Sequence, residues 1–295
     1  MIASALVVGC TASAPEEAAA RRPVSGLELD PVLDEASGAV VLPYDRFVES
    51  FGEMDLIAVA GTVLISACAK ENGVTFVAPG LSSEPEVYDS ELYFGPWTVA
   101  QAERFGFVQP MTAADLDANG ILSEGSSEAD AAGVPDTRNE SLADADWAVV
   151  DECAGSPDVA ALGAGLTHDG PWVAQIRATA DAVLEQPATR QLFDELGACY
   201  ESAGLSPDSE HPWVVDGART DRITEEQIGL ALEVVACKDQ IDFTSRMVQI
   251  EADLQAPIIV EYADELVAAR TALDAAVTQA REVLQENQDL IQQAP

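Results

Sequence analysis

Apolar residues recur at helical spacing along most of this chain. Between Phe47 and Gly73 they fall at every third or fourth position, and the closing glycine is typical of a helix with a left-handed cap. Few segments alternate between apolar and polar residues as a half-buried strand does. The same helical spacing predicts further helices over 99–104, with Thr98 as N-cap, and over 171–184 and 187–204.

The C-terminal part carries the longest helical pattern. The segment 224–227 (Thr-Glu-Glu-Gln) matches a capping box and opens a helix that we expect to be interrupted near Pro257 and to resume to about residue 291. A stripe of apolar residues follows, broken at Arg270 and Asn287, and comprises Leu266, Leu273, Val277, Ala280, Leu284 and Ile291. This stripe predicts a long terminal helix, a helical hairpin or a coiled-coil arm.

Four cysteines form an even set, as a disulfide framework requires. Cys68 and Cys199 each stand in an Ala-Cys-x4-Gly phrase at the end of a helical pattern, and Cys153 and Cys237 each follow a Val-Val pair. Spacing alone permits three pairings. The simplest arrangement pairs Cys68 with Cys153 and Cys199 with Cys237, one bridge per repeat. Metal ligation is disfavoured because no C-x2-C occurs and both histidines lie far from any cysteine in sequence.

These patterns predict a mainly α fold made of two disulfide-stapled helical units, with a long terminal helix or helical hairpin and little or no sheet. We place the first unit at 41–155, with an acidic loop over 112–146, and the second at 156–295. Residues 11–40 are predicted to be a flexible tether, because the segment begins with small and polar residues that form no periodic apolar face.

The N-terminus resembles a bacterial lipobox. The apolar run Ile2–Val8 leads to Gly9 and Cys10, and a Thr-, Ser- and Ala-rich segment follows. We therefore expect residues 1–10 to be a lipoprotein signal that ends at an acylated Cys10, which would hold the protein on the extracytoplasmic face of the cell membrane. The alternative is an unrelated apolar N-terminus with a chance cysteine, which the short run and the absence of a preceding Lys or Arg favour.

The chain is strongly acidic, with 52 Asp and Glu against 14 Lys and Arg and a net charge of −38. Such a surface repels phosphate backbones, so we expect no nucleic-acid partner. The ordinary explanation of the charge is a solvated acidic face that provides solubility. No segment, the short N-terminal run included, reaches the roughly 18 uninterrupted apolar residues of a membrane-spanning helix, and we expect the body to be soluble.

Residues 115–126 follow the calcium loop of an EF-hand through its ninth position. The candidate ligands are oxygen donors at loop positions one, three, five, seven and nine: Asp115, Asp117, Asn119, Ile121 and Ser123. Ser126 replaces the bidentate Glu expected at position twelve. Matches of this kind also arise by chance in an Asp-rich loop, so calcium is a hypothesis here, and the sequence indicates no other cofactor.

No set of residues predicts a catalytic site. The chain has no G-x-S-x-G elbow to expose a nucleophile, and His168 and His211 stand in loops where a structural role is expected. The four tryptophans suit a sugar- or peptide-binding platform, although packing at loop–helix junctions is their commoner use.

Several short motifs occur together: Leu42-Pro43-Tyr44, the Cys68 helix, Tyr93-Phe94-Gly95, the segment 103–107 (Glu-Arg-Phe-Gly-Phe), Cys199-x4-Gly204, and Ala236-Cys237-Lys238 before a long terminal helix. As a set they resemble a group of actinobacterial secreted lipoproteins of unknown function. The likeness covers most of residues 40–285. It implies the compartment and the architecture, and it implies no activity.

Three functional hypotheses remain. The first is a non-enzymatic, lipid-anchored protein that contacts an envelope protein, with the terminal helical arm over 258–291 as its partner surface. The second is a lipoprotein that binds a small ligand or a cation such as calcium, serving a transporter. The third, ranked lowest, is an envelope hydrolase, which would need a cleft holding a carboxylate pair with raised pKa.

Overall fold

The computed structural model describes residues 27–81, 95–111, 116, 119–123, 139–164 and 169–291. This part of the chain contains nine α-helices: α1 (Phe51–Glu71), α2 (Val99–Phe105), α3 (Asp144–Ala154), α4 (Pro157–Gly163), α5 (Pro171–Glu185), α6 (Pro187–Ser202), α7 (Glu225–Gln240), α8 (Phe243–Glu261) and α9 (Ala263–Glu286). Its strands are short: β1 (Val32–Asp34), β2 (Ala39–Val41), β3 (Leu122–Ser123) and β4 (Arg222–Ile223). The predicted mainly helical fold with little sheet is confirmed.

The two strand pairs fasten peripheral segments to the helices. β1 and β2 form an antiparallel hairpin, with Val32 opposite Val41, and β3 runs parallel to β4. The hairpin turn docks on the α2 segment, because the Trp97 indole and the Gln101 amide both donate hydrogen bonds to the Gly38 carbonyl. Residues 32–40 of the predicted tether therefore belong to this hairpin, and residues 11–26 of the predicted tether lie outside the described residues.

α1 packs along the terminal helix α9 in the same direction. The Glu53 carboxylate meets the Arg270 guanidinium near the start of α1, and Lys70 meets Asp289 at the other end. Between these pairs, Ile57, Val63 and other apolar residues of α1 share one buried cluster with the α9 stripe and with Leu162 of α4. Within the described residues the stretch Tyr44–Glu71 is also long and apolar enough to span a membrane, by length and composition only.

A larger core is enclosed by α5, α6, α7 and α8. Its fully buried residues include Leu196, Tyr200, Val234, Phe243 and Met247, which α6, α7 and α8 direct toward one another. α2 lies against α7, and its Ala102 joins the same core. This arrangement brings α2 and the loop after α6 to the same side of the α6–α7 pair.

Both predicted disulfides are present. Cys68 on α1 bonds Cys153 on α3, with Cα atoms 5.8 Å apart, and Cys199 on α6 bonds Cys237 on α7, with Cα atoms 5.7 Å apart. Each Ala-Cys-x4-Gly phrase ends its helix as predicted, because Gly73 and Gly204 adopt positive φ values of 83° and 80°. The proposed boundary between units near residue 155 stays a prediction.

Some local predictions are wrong. The helical pattern is not interrupted at Pro257, which lies inside α8, and the break comes instead at Tyr262. Thr224 caps α7 by accepting a hydrogen bond from the Gln227 N–H, but the Gln227 side chain does not return to the cap. It bonds the loop at Gly217 and Arg219 instead, because its buried amide finds two backbone partners there.

Candidate ligand cleft

The largest cavity described is a cleft of about 640 Å³. One wall is the segment 95–111, which carries α2, and the other is the loop 208–220 between α6 and α7. Asn119 and Ile121 complete the lining at one edge. The lining is mostly apolar and includes three aromatic residues, Phe105, Phe107 and Trp213.

The residue after one disulfide cysteine supports the first wall. Lys238 follows Cys237 on α7, is 1% exposed, and donates a hydrogen bond to the Pro96 carbonyl over 2.9 Å. Its ammonium group also lies 5.8 Å from the centre of the Phe243 ring. Lys238 thus fastens the backbone at Pro96 to the helix core.

The residue after the partner cysteine supports the second wall. Tyr200 follows Cys199 on α6 and is fully buried, and its hydroxyl donates to the Trp213 carbonyl over 2.9 Å. Burial raises the pKa of this phenol, so it stays protonated as a donor. The Trp213 ring packs against Phe193, with ring centroids 6.0 Å apart. The Cys199–Cys237 bridge therefore joins the two helices that hold the two walls.

The walls meet at Gly95, where a side chain would not fit. Gly95 has a φ of 58°, and a Cβ there would lie 3.2 Å from Val214 and 3.6 Å from the Lys238 ammonium. At the other end of α2, Gly106 has a φ of 60° and lies against Gln227, whose amide group holds the backbone at Gly217 and Arg219. Both glycines allow the α2 segment to approach the loop closely.

Asp208 is the only charged side chain among the described lining residues. Its Oδ1 accepts hydrogen bonds from the backbone N–H groups of Glu210 and His211 over 2.9 and 2.8 Å, and lies 3.5 Å from His211 Nδ1. These backbone donors hold the pKa of Asp208 below its ordinary value, so the carboxylate is ionised. The His211 ring in turn stands edge-on to Trp213, at 5.2 Å between centroids.

Only part of the predicted calcium loop can be located. Asn119 and Ile121 line the cleft, and Gly120 has the positive φ of 67° that a tight turn requires. The Asn119 amide donates to the Met111 sulfur, and Ser123 lies in β3 beside Ile223 of β4. Asp115 and Asp117 fall outside the described residues, and the described residues contain no group of three or more metal-ligating side chains. Calcium binding stays a hypothesis.

Among the described lining residues, the cleft holds no pair of carboxylates of the kind that the hydrolase hypothesis requires. Asp208 has a lowered pKa, whereas the hydrolase hypothesis requires a carboxylate pair with raised pKa. Asp239 does have a raised pKa, caused by burial and by the nearby Glu35 and Asp242 carboxylates. It lies in smaller grooves beside Trp97, outside the cleft lining. His168 falls outside the described residues.

The apolar stripe of the terminal helix packs within the chain, whereas Val260 and Val267 of the predicted partner surface 258–291 are exposed. Leu266, Leu273, Val277, Ala280 and Leu284 are all buried, four of them against α1. Arg270, which breaks the stripe, is also buried and is paired with Glu53 and Asp274. The hypothesis that this stripe forms an open arm has no support in the packing of the described residues.

Sequence reasoning missed the role of the loop 208–220. His211 was expected to be structural, and the tryptophans were expected to serve in packing or in a binding platform; His211 and Trp213 both line the cleft. The available signals were Gly95 and Gly106 flanking α2 and the polar and aromatic residues in one loop before Gln227. Nothing in their spacing shows that the two segments meet, because they lie about 100 residues apart in sequence.

Comparison of the chain with protein-family models, with curated proteins and with solved structures finds no match. The functional argument therefore depends on the cleft and its surroundings. The two disulfides indicate an oxidising, extracytoplasmic location.

Proposed function

We propose that this protein is an extracytoplasmic binding protein that holds a small molecule in the cleft between residues 95–111 and 208–220. The observation that carries the proposal is the cleft itself. Its volume of about 640 Å³ falls within the range of small-molecule sites, and its lining combines apolar and aromatic groups with a few polar ones.

The supports of the cleft favour a preformed site. The Tyr200 and Lys238 hydrogen bonds fix the two walls from the same disulfide-joined helix pair. A site whose walls are held before the ligand arrives loses less conformational entropy on binding. This favours ligand binding. The partner-protein hypothesis has less support, because most of its apolar stripe is buried and only Val260 and Val267 of the described residues 258–291 are large exposed apolar side chains.

We also propose that Cys10 anchors the protein to the membrane. The lipobox resemblance and the oxidising location both support this. A Cys10→Ala variant should leave the membrane fraction and appear in the medium or the periplasm. Continued membrane attachment of that variant would rule out the lipid anchor.

The binding function is tested by screening a panel of small apolar and amphipathic molecules by saturation-transfer NMR. Thr220 is exposed and lines the cleft, so Thr220→Trp should fill it while leaving the core intact. Thr220→Ser is the matched control. We expect saturable binders of the wild type to be lost in Thr220→Trp and kept in Thr220→Ser. A screen without binders, or binders that ignore the Trp substitution, would refute the proposed function.

A further inference from the structure

We infer that the ligand of this cleft is a cationic amphiphile, an amine with an apolar or aromatic body, and that Asp208 binds its ammonium group. This inference rests on the proposed function and goes beyond it by naming the chemical class of ligand. It depends on the position of one carboxylate, on the aromatic lining and on the charge of the whole chain.

The Asp208 carboxylate has one oxygen committed and one available. Its hydrogen bonds from Glu210 and His211 and its contact with the His211 ring all involve Oδ1. Its Oδ2 makes no hydrogen bond or ion pair within the described part of the chain. The side chain is 35% exposed and lines the cleft, so a ligand can reach it.

The turn that contains Asp208 orients this oxygen. Besides the two N–H bonds to Oδ1, the Asp208 backbone N–H donates to the Val214 carbonyl, and the Val214 N–H donates to the His211 carbonyl. A carboxylate fixed in this way needs little reorganisation to meet an ammonium group. Charge-assisted hydrogen bonds of this kind are about twice as strong as neutral ones.

The rest of the lining suits the body of an amine. Trp213 is partly exposed and offers aromatic surface, and an aromatic face attracts a cation within about 6 Å. The buried Phe105 and Phe107 add apolar lining. The Arg104 guanidinium lies 4.8 Å from the centre of the Phe105 ring. Arg219 and Arg222, beside the loop, share the Asp221 carboxylate at 2.8 and 3.0 Å, which neutralises part of their charge.

Charge complementarity extends to the whole molecule. A chain with a net charge of −38 attracts a cation and repels an anion of the same shape. A carboxylate ligand would have to approach Asp208 without a lining cation to pair with among the described residues. The net negative charge of the chain and the Asp208 carboxylate therefore both favour a cationic ligand.

The test compares three probes that share one phenylbutyl body: 4-phenylbutylamine, 4-phenylbutan-1-ol and 4-phenylbutanoate. Calorimetric titration of the full chain at low salt and pH 8 should give an affinity for the amine on the order of tenfold higher than for the alcohol, with the carboxylate weakest. Added salt should weaken binding of the amine and leave binding of the alcohol nearly unchanged.

Two variants isolate the role of Asp208. In Asp208→Asn the side-chain oxygen still accepts the two backbone N–H bonds, so the turn is kept while the charge is removed. In this variant the amine and the alcohol should bind with about equal affinity, and the alcohol should bind as it does to the wild type. Glu210→Gln removes the same charge from an exposed neighbour outside the lining and should keep the preference.

The outcomes separate the inference from the proposed function. Equal binding of amine and alcohol, tighter binding of the carboxylate, or an unchanged preference in Asp208→Asn would overturn the cationic class and leave the cleft as a binding site. Failure of all three probes to bind would count against both.

Discussion

Lys238 shows how one residue links the stability of this protein to the shape of its cleft. Its ammonium group is 1% exposed and holds the Pro96 carbonyl, while the pKa of this group is lowered to about 7 because burial disfavours the charged form. The ordinary value is 10.5, which the unfolded chain regains. Folding therefore releases a proton between these two values.

The lowered pKa of Lys238 makes the free energy of unfolding depend on pH. Between pH 7 and 10.5 the unfolded state binds more protons than the folded state, so the free energy of unfolding should rise with pH, by about 1 kcal/mol per pH unit from pH 7.5 to 9. Urea unfolding of wild type and Lys238→Met at both pH values measures this. The variant should lose the rise, while Lys70→Met, at an exposed position, should keep it. Equal slopes in all three proteins would contradict the assignment.

A second residue-scale prediction concerns the buried guanidinium of Arg270. Glu53→Gln keeps an oxygen for the Ser50 N–H cap but removes the charge that faces Arg270, so we expect a loss of about 2–3 kcal/mol in the free energy of unfolding. Asp274 is half exposed, and Asp274→Asn should cost less than about 1 kcal/mol. Chemical denaturation measures the free energy of unfolding of both variants. Equal losses would show that burial does not determine how much each ion pair of Arg270 contributes.

At the scale of elements, helix ends were easier to predict than helix continuity. Ser50 and Glu53 form a capping box at the start of α1, which the Ser-x-x-Glu spacing could have located. Pro257 was expected to interrupt the helix, yet α8 continues through it because Ile259 and neighbouring residues remain buried in the core. Tertiary packing outweighs the local cost of proline at this position.

Pro257 should therefore lower the stability of the folded protein. Its side chain is exposed, and Pro257→Ala should restore a backbone donor inside α8 and raise the free energy of unfolding by about 1–2 kcal/mol. Pro187 provides the matched control, since it occupies the first turn of α6, where proline is well placed and its replacement should not stabilise. Thermal melts compare the melting temperatures of the Pro257 and Pro187 variants with that of the wild type. A lower melting temperature for Pro257→Ala would contradict it.

The two disulfides should differ in their effect on the cleft. Replacing either pair by serine should lower stability by about 3–4 kcal/mol, because each bridge restrains the unfolded chain. Only the Cys199–Cys237 pair precedes the residues that hold the walls, Tyr200 and Lys238. Removal of the Cys199–Cys237 bridge should also weaken binding of 4-phenylbutylamine, measured at a temperature where both serine variants remain folded. Equal binding by the two variants would show that the bridge does not support the cleft.

At the scale of the whole molecule, features encoded by neighbouring residues were predicted better than contacts between distant segments. The helical class followed from apolar spacing and helix-end signals, which lie within a few residues. Of the three cysteine pairings that spacing permitted, the simplest, one bridge per repeat, is the one present. The apolar stripe of α9 was recognised, but its partner α1 could not be inferred, because the two helices are about 200 residues apart. The cleft was missed for the same reason: α2 and the loop 208–220 are distant in sequence and are brought together by contacts with α6 and α7.

The measurement that tests the central claim most directly is amide chemical-shift mapping of the ¹⁵N-labelled protein during titration with 4-phenylbutylamine. We predict saturable shifts that are largest at cleft residues such as Phe107, Trp213 and Ala218, with the Trp213 indole among them, and that disappear in Thr220→Trp. Shifts centred on the outer face of α9, or the absence of any saturable shift, would contradict a ligand site between residues 95–111 and 208–220.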